Sequence, residues 1–196
     1  MSLSVVAFNG SPRPQGNTFQ SLSIVLDELA KQGISGEILQ VGGKQLAGCK
    51  SCYRCLQNKD KKCVQTGDEM NYFIERASGA DGILIGSPVY FSNVSSEAKA
   101  FIDRCGFVAN ANDKMLRGKV GAAVLSMRRA GATFAYSAIN FFFGISEMII
   151  PCSNYWNLAI GRQPGEVLQD AEGVATFKTL GNNMAALLKQ LHSTNS

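Results

Sequence analysis

The sequence predicts a doubly wound α/β domain, a parallel sheet with helices on both faces, and three features carry that reading. Short β-rich runs alternate with stretches of helical spacing along the chain. The run Gly-Ile-Leu-Ile-Gly at residues 82–86 is apolar throughout, as expected of a central parallel strand covered on both faces. Turn chemistry follows such runs directly, as in Asn9-Gly10-Ser11-Pro12. A chain of 196 residues suits one domain with a sizeable core. Its 45% hydrophobic and 17% charged residues exclude long disorder.

Leu3, Val5, Val6 and Phe8 form the first strand. From Thr18 the apolar residues Phe19, Leu22, Val25, Leu26 and Leu29 recur at helical spacing, and Gly33 is suited to end that helix. Residues 34–41 make a second short strand. Residues 42–67 then show no sustained period, and an irregular stretch of that length usually serves a function. Asp68 can cap a helix whose apolar face is Met70, Phe73, Ile74 and Ala77. Strand three, 82–86, runs into Ser87-Pro88-Val89-Tyr90-Phe91-Ser92-Asn93, and a helix follows from Ser96 with Ala100, Phe101, Cys105 and Val108. Residues 120–125 form strand four and stop at Met127-Arg128-Arg129-Ala130-Gly131. Phe134, Ala138, Phe141 and Phe142 suit the next helix, and Met148, Ile149 and Ile150 make strand five. A last helix at 173–191 turns Phe177, Leu180, Met184, Leu187, Leu188 and Leu191 inward. Right-handed crossovers leave few topologies for such a sheet, and its ligands bind at the carboxyl ends of the strands, near the switch in strand order.

The segment Ser-Pro-Arg-Pro-Gln-Gly-Asn-Thr at 11–18 opens the first helix straight after strand one. The hydroxyls of Ser11 and Thr18, the Arg13 guanidinium, the Asn17 amide and the unpaired N–H groups of the first turn can converge on one phosphate. The alternative is a surface turn followed by an ordinary N-cap. The segment lacks both Gly-x-Gly-x-x-Gly and the Gly-Lys-[Ser/Thr] of a P-loop, which argues against a dinucleotide fingerprint and against nucleotide hydrolysis.

The net charge of +4 is concentrated. Lys44, Lys50, Arg54, Lys59, Lys61 and Lys62 face only Asp60 within 44–62, a local +5. A basic patch beside cysteines suits nucleic acid, an anionic metal cluster or an anionic cofactor, and charge alone does not choose. Cys49, Cys52 and Cys55 stand three apart, with Cys63 after seven intervening residues. Such a run can wrap one iron–sulfur cubane corner by corner, whereas structural zinc more often draws on two separated ligand pairs. A third reading is reduced thiols packed into a loop. Cys105 and Cys152 lie on apolar segments and read as core thiols. His192 is the single histidine, which excludes a His-dependent hydrolytic triad. The opening residues are too short an apolar run for a signal peptide, and no run approaches a spanning helix, so a soluble, cytoplasmic protein is expected.

Three groups of residues together resemble a known family over nearly the whole chain. They are Gly10-Ser11-Pro12-Arg13 with Gly16-Asn17-Thr18; Gly86-Ser87-Pro88-Val89-Tyr90-Phe91 followed by Lys99-Ala100-Phe101-Ile102-Asp103-Arg104; and Tyr155-Trp156-Asn157, Gly161-Arg162 and Asp170-Ala171-Glu172-Gly173. Their order and spacing resemble the NADPH-dependent FMN reductase branch of the flavodoxin-like superfamily, which includes the iron–sulfur flavoproteins. The resemblance implies a three-layer flavodoxin-like fold in a single domain, 1–196. Its five-stranded parallel sheet would run in the order 2-1-3-4-5, with the cysteine-rich loop 42–67 inserted between strand two and the following helix.

The resemblance also implies FMN. Its phosphate would be held by Ser11, Arg13, Asn17 and Thr18, and its ring would lie against Pro88, Val89, Tyr90, Phe91, Ser92 and Asn93 and the loop 127–131. Arg128, otherwise a solvated rim residue beside Arg129, would face the pyrimidine carbonyls and favour the anionic reduced ring. A [4Fe–4S] motif maps onto Cys49, Cys52, Cys55 and Cys63. The implied activity is oxidoreduction, from NAD(P)H or a reduced ferredoxin-like donor to flavin, quinone or another small acceptor, with the cofactor carrying the chemistry. An iron–sulfur flavoprotein electron carrier is the variant with a cluster. The implied partners are a small-molecule electron acceptor and a ferredoxin-like protein, with no membrane or nucleic acid, in a homodimer or homotetramer. From a different class, a zinc-stabilised basic binding module would use 44–62 but leave 11–18 and 88–93 without a role.

Overall fold

The computed structural model describes residues 3–193. β1 (Ser4–Asn9) lies second in a sheet of five parallel strands with β2 (Ser35–Gln40), β3 (Gly82–Pro88), β4 (Val120–Met127) and β5 (Leu158–Ile160). The order is β2-β1-β3-β4-β5, so β1 and β3 are the neighbours at which the strand order reverses, the expected place for a ligand. α1 (Asn17–Lys31) and α6 (Ala171–Ser193) cover one face. α3 (Met70–Gly79), α4 (Ser96–Ala111) and α5 (Ala132–Ile145) cover the other.

Alternation along the strands divides the core in two. Val6, Phe8, Ile83, Ile85, Ala123 and Leu125 point to the α3–α4–α5 side, and Val5, Ala7, Leu84, Ala122 and Val124 to the α1–α6 side. Both faces of β1, β3 and β4 are thus dry, which is why these strands read as continuous apolar runs. Gly86 lets α1 lie close to β3: a Cβ there would stand 2.6 Å from Leu22 Cδ1 and 2.9 Å from Thr18 Cγ2. This close approach brings the start of α1 to the carboxyl end of the sheet.

Strand five lies later than the sequence suggests. Met148, Ile149 and Ile150 reach the sheet only through the bridge between Ile149 and Val120. Pro151 has no N–H to extend a ladder, and the chain loops out before pairing resumes at Leu158–Ile160. Cys152 sits in that excursion and is exposed, a correction to its reading as a core thiol, while Cys105 is buried. Burial pushes the Cys105 thiol up to about 12. On α5 the buried face is Ala132, Ala135, Ile139, Phe142 and Phe143, leaving Phe134 and Phe141 in solvent. Between β2 and α3 runs the cysteine-bearing segment, whose one helix, α2 (Arg54–Asn58), has five residues. Among the described residues no helix is long and apolar enough to cross a membrane.

Candidate functional site

Asn9 closes β1 fully buried. Its Oδ1 accepts from the Ser11 N–H at 3.1 Å, and its Nδ2 donates to the Pro14 carbonyl at 3.3 Å and to Gln40 Oε1 at 2.8 Å. Gln40, at the end of β2, donates from Nε2 to the carbonyls of Ser11 and Gly42, each at 2.6 Å. Two amides at neighbouring strand ends therefore bend the segment after β1 into a loop, in which Ser11 Oγ accepts from the Arg13 N–H at 3.2 Å. Neither amide stands out in the sequence beyond Asn9's place in a turn, because their partner is each other across the sheet.

The loop enters α1 through Gly16, which makes no side-chain cap, and the first turn carries no acidic residue. The leading N–H groups of a 15-residue helix thus present partial positive charge without a capping side chain, a ready site for an anion. Thr18 is buried in that turn. Asn17 Oδ1 accepts from the Gly165 N–H at 2.8 Å, which fixes the amide and leaves Nδ2 as its donor end.

At the ends of β3 and β4, the Val89 N–H donates to the Ser126 carbonyl at 3.2 Å. Tyr90 and Asn93 exchange two backbone hydrogen bonds of 2.9 Å, and Phe91 and Ser92 between them take φ of 48° and 61°. Two successive positive values define a type I′ turn, which Asn, Asp or Gly usually fill. The turn exposes Phe91 completely. From the other side comes Gly131, at φ 88°, where a Cβ would stand 2.7 Å from Ser92 Oγ; the loops after β3 and β4 therefore touch.

Ser11, Arg13, Asn17, Thr18, Pro88, Val89, Tyr90 and Arg128 line one cavity of about 230 Å3. Phe91, Ser92 and Asn93 form the turn beyond Tyr90 and do not line it, nor does Arg129. Ser126, Met127, Gly161 and Arg162 complete the wall; the family resemblance points to Met127, in the loop 127–131, and to the Gly161-Arg162 pair, but not to Ser126. Arg13, Arg128 and Arg162 face a cavity to which the described residues contribute no carboxylate, so its field favours an anion. Glu166, near Arg162, is engaged elsewhere: its Oε2 accepts from the N–H groups of Arg162 at 2.6 Å and Gln163 at 2.9 Å. Those backbone bonds, from Gln163 first and then Arg162, lower its pKa. A phosphate on α1 with a planar ring toward Pro88 and Tyr90 fits this donor set and wall.

Cys49, Cys52, Cys55 and Cys63 line a second, small void of about 20 Å3, walled by Tyr53, Phe107 and Arg104. Tyr53 meets Phe107 edge-on, with ring centroids 6.1 Å apart. The thiols ring the void without meeting at a point, and among the described residues no three His, Cys, Asp or Glu are grouped to hold a single metal ion. Donors surround the sulfurs: the Ser51 N–H reaches Cys49 Sγ at 3.5 Å and Gln65 Nε2 reaches Cys63 Sγ at 3.9 Å. The Cys55 thiol donates to the Phe107 carbonyl at 3.8 Å. Its pKa is raised chiefly by burial, with the charges of Cys49 and Cys52 adding to it.

Behind the void lies Arg104, fully buried, paired with Asp68 and donating to the carbonyls of Ala47 at 3.1 Å and Gln65 at 2.7 Å. Burial acts against its charge, yet its pairing with Asp68 and the nearby Cys63 sulfur outweigh it and leave its pKa raised. Its Nε has no hydrogen-bond partner among the described residues. Four thiols, apolar walls and N–H donors suit an anionic thiolate-bound cluster.

The profile of the NADPH-dependent FMN reductase family matches residues 3–163. An iron–sulfur flavoprotein of Methanocaldococcus jannaschii is 33% identical, over 95% of this chain and 98% of its own length. One from Methanosarcina thermophila is 26% identical, over 95% and 96%. Among solved structures, RosB with the bound intermediate 8-demethyl-8-formylriboflavin-5′-phosphate superposes with a TM-score of 0.76 at 17% identity, covering 100% of this chain and 82% of that one. A flavodoxin, WrbA-like protein from Agrobacterium tumefaciens gives 0.65 at 13% identity, covering 97% and 99%; these two likenesses speak to fold. By its profile and its relatives, the chain belongs to the NADPH-dependent FMN reductase family and is a flavoprotein of flavodoxin-like fold.

Proposed function

We propose that the chain is an FMN-dependent oxidoreductase that also carries a [4Fe–4S] cluster on Cys49, Cys52, Cys55 and Cys63. The observation behind this reading is the single cavity in which the loops after β1, β3 and β4 meet an uncapped helix N-terminus beside three arginines. Bound FMN supplies hydride or electron transfer between a donor, NAD(P)H or a reduced ferredoxin-like protein, and a flavin, quinone or other small acceptor. Ser11, Arg13, Asn17 and Thr18 hold the phosphate against the N–H groups of α1. Pro88, Val89 and Tyr90 wall the ring, and Arg128 sets a positive charge where a reduced ring becomes anionic.

The cluster reading is supported by the four thiols around one void and by the relatives named iron–sulfur flavoproteins. The basic residues of 44–62 suit an acidic donor protein of ferredoxin type, drawn by complementary charge. Leu56, Phe107, Phe141 and Ile145 expose apolar surface along a groove of about 710 Å3 beside α4 and α5. We set a second copy of the chain there, in a homodimer or homotetramer. Sedimentation of wild type and Phe141→Asp tests this: the variant is expected to run smaller, and a monomeric wild type overturns it.

An anaerobic ultraviolet–visible spectrum of freshly purified protein, before and after dithionite, tests the main reading. Flavin bands over broad absorbance that bleaches on reduction are expected. Flavin bands alone would leave an FMN reductase without a cluster. A colourless protein whose spectrum ignores added FMN would overturn the proposal and favour a zinc-stabilised module.

A further inference from the structure

Among the described residues, Arg104 heads the largest fully buried side chains. It projects from α4 into the base of the cysteine loop, where Nη1 donates to the Ala47 carbonyl and to Asp68, and Nη2 to the Gln65 carbonyl. Three anchors on both limbs of the loop account for the tip of the guanidinium. Its Nε–H is buried and makes no hydrogen bond within the described residues. An orphaned donor on a buried cation is rare in native proteins, and this one belongs to a side chain that lines the thiol void and interacts with the Cys63 sulfur. The unused donor therefore belongs to a side chain beside thiols that would become anionic once a cluster is seated.

We propose that Arg104 is the positioning residue of the cysteine site: its Nε–H donates to the Cys63 sulfur of the cluster-loaded protein, and its buried charge stabilises the reduced cluster. Asp68, sharing the same guanidinium, partly neutralises that charge. The inference rests on the cluster reading above. The physical reason is that reduction adds one negative charge to a group held in low dielectric, where a fixed cation close by favours the added electron and a nearby carboxylate opposes it. The pair thus works as opposed charges with one lever arm: removing Arg104's charge makes the cluster harder to reduce, and removing Asp68's makes it easier.

The test is an anaerobic dithionite titration of the full chain, reconstituted with FMN, iron and sulfide, the cluster followed by electron paramagnetic resonance. Wild type, Arg104→Gln, Arg104→Lys and Asp68→Asn are compared, with iron content and FMN affinity measured on each. Arg104→Gln is expected to lower the equilibrium constant for reducing the cluster about tenfold, a shift of about 59 mV downward for a one-electron couple. Arg104→Lys keeps the charge and loses the Nε donor, so its shift is smaller and in the same direction. Asp68→Asn, whose side-chain oxygen still accepts from Arg104, is expected to shift upward, and FMN affinity is unchanged in all three.

A strut without an electrostatic role would not give shifts of opposite sign. Equal or same-signed shifts in Arg104→Gln and Asp68→Asn, at wild-type iron content, overturn the inference, as does loss of iron in all three variants. If Arg104→Gln alone fails to hold iron, the opposed shifts of Arg104→Lys and Asp68→Asn decide. A wild type that takes up no cluster is recognised before any variant is made, and it overturns the cluster reading itself.

Discussion

At the carboxyl ends of β1, β3 and β4 the candidate FMN site is made of backbone N–H groups, short hydroxyls and amides, held by a sheet that is buried on both faces. The thiols of Cys49 to Cys63 stand on a segment that has no strand, one five-residue helix and four non-glycine residues at positive φ, Ser51, Tyr53, Lys59 and Lys61. Each such residue costs about 1–2 kcal/mol relative to a right-handed conformation. What offsets that cost lies outside the segment: Arg104 and Asp68, and Asn71, whose side chain exchanges hydrogen bonds with the Cys63 backbone at 2.7 and 2.8 Å. One site is a by-product of the fold. The other is a loop propped from behind by side chains of α3 and α4 and by Asp68.

The largest expected effect that sharpens this contrast is at Gly86. A valine there collides with Leu22 and Thr18, forcing α1 from the sheet. Overpacking of this kind costs about 1–3 kcal/mol, a fall of several degrees in Tm, and FMN binding is expected to go with it while the cysteine loop keeps its iron. Next is Arg13→Ala, which removes the charged contact proposed for the phosphate. Such a contact is worth about 1.5–3 kcal/mol, so FMN affinity measured by flavin fluorescence falls roughly ten- to hundredfold, again with iron unchanged.

A pH effect distinguishes the prop from the rim. Burial resists ionisation of Asp68, but hydrogen bonds from Arg104 and from the N–H groups of Ala47 and Met70 hold its carboxyl below the ordinary range. Because the folded value is the lower one, its stabilisation is present above the ordinary aspartate value of about 3.9 and is lost as pH falls through the folded value. Urea midpoints of the metal-free protein are expected to drop more steeply with acid in wild type than in Asp68→Asn. Equal slopes would show that the Asp68 charge does not stabilise the fold. The smallest effect is at Ser92→Gly, which relieves a left-handed serine at φ 61°. Glycine's extra freedom in the unfolded chain offsets part of the gain, leaving about 0.5–1 kcal/mol, seen as a slightly higher Tm.

The same contrast explains what the sequence disclosed. Strands buried on both faces announce themselves as apolar runs, so β1, β3 and β4 and the helices between them were legible, and the turn residues that follow them marked the loop that enters α1. β5 was not, because it has only three residues, and the apolar trio before Pro151 offered a better pattern at the wrong place. Arg128, Pro88, Val89 and Tyr90, read from the family resemblance, line one cavity with the loop after β1. Gln40 and Ser126 were missed, since their importance comes from pairing across the sheet, which no local period records. In the cysteine loop the spacing of the thiols was plain, but Arg104 read only as one residue of a helical motif. Nothing local shows that a charged side chain on α4 is buried behind a loop some forty residues earlier.

The two sites are built independently within one chain, one by the sheet and α1, the other by a loop propped by Arg104, Asp68 and Asn71. Cys52→Ala, reconstituted anaerobically beside wild type and assayed for bound FMN and iron, tests it most directly. Wild type is expected to hold both, and the variant to lose iron and the bleachable absorbance while keeping FMN with unchanged affinity. Loss of FMN together with the iron, or full retention of iron without Cys52, would contradict it.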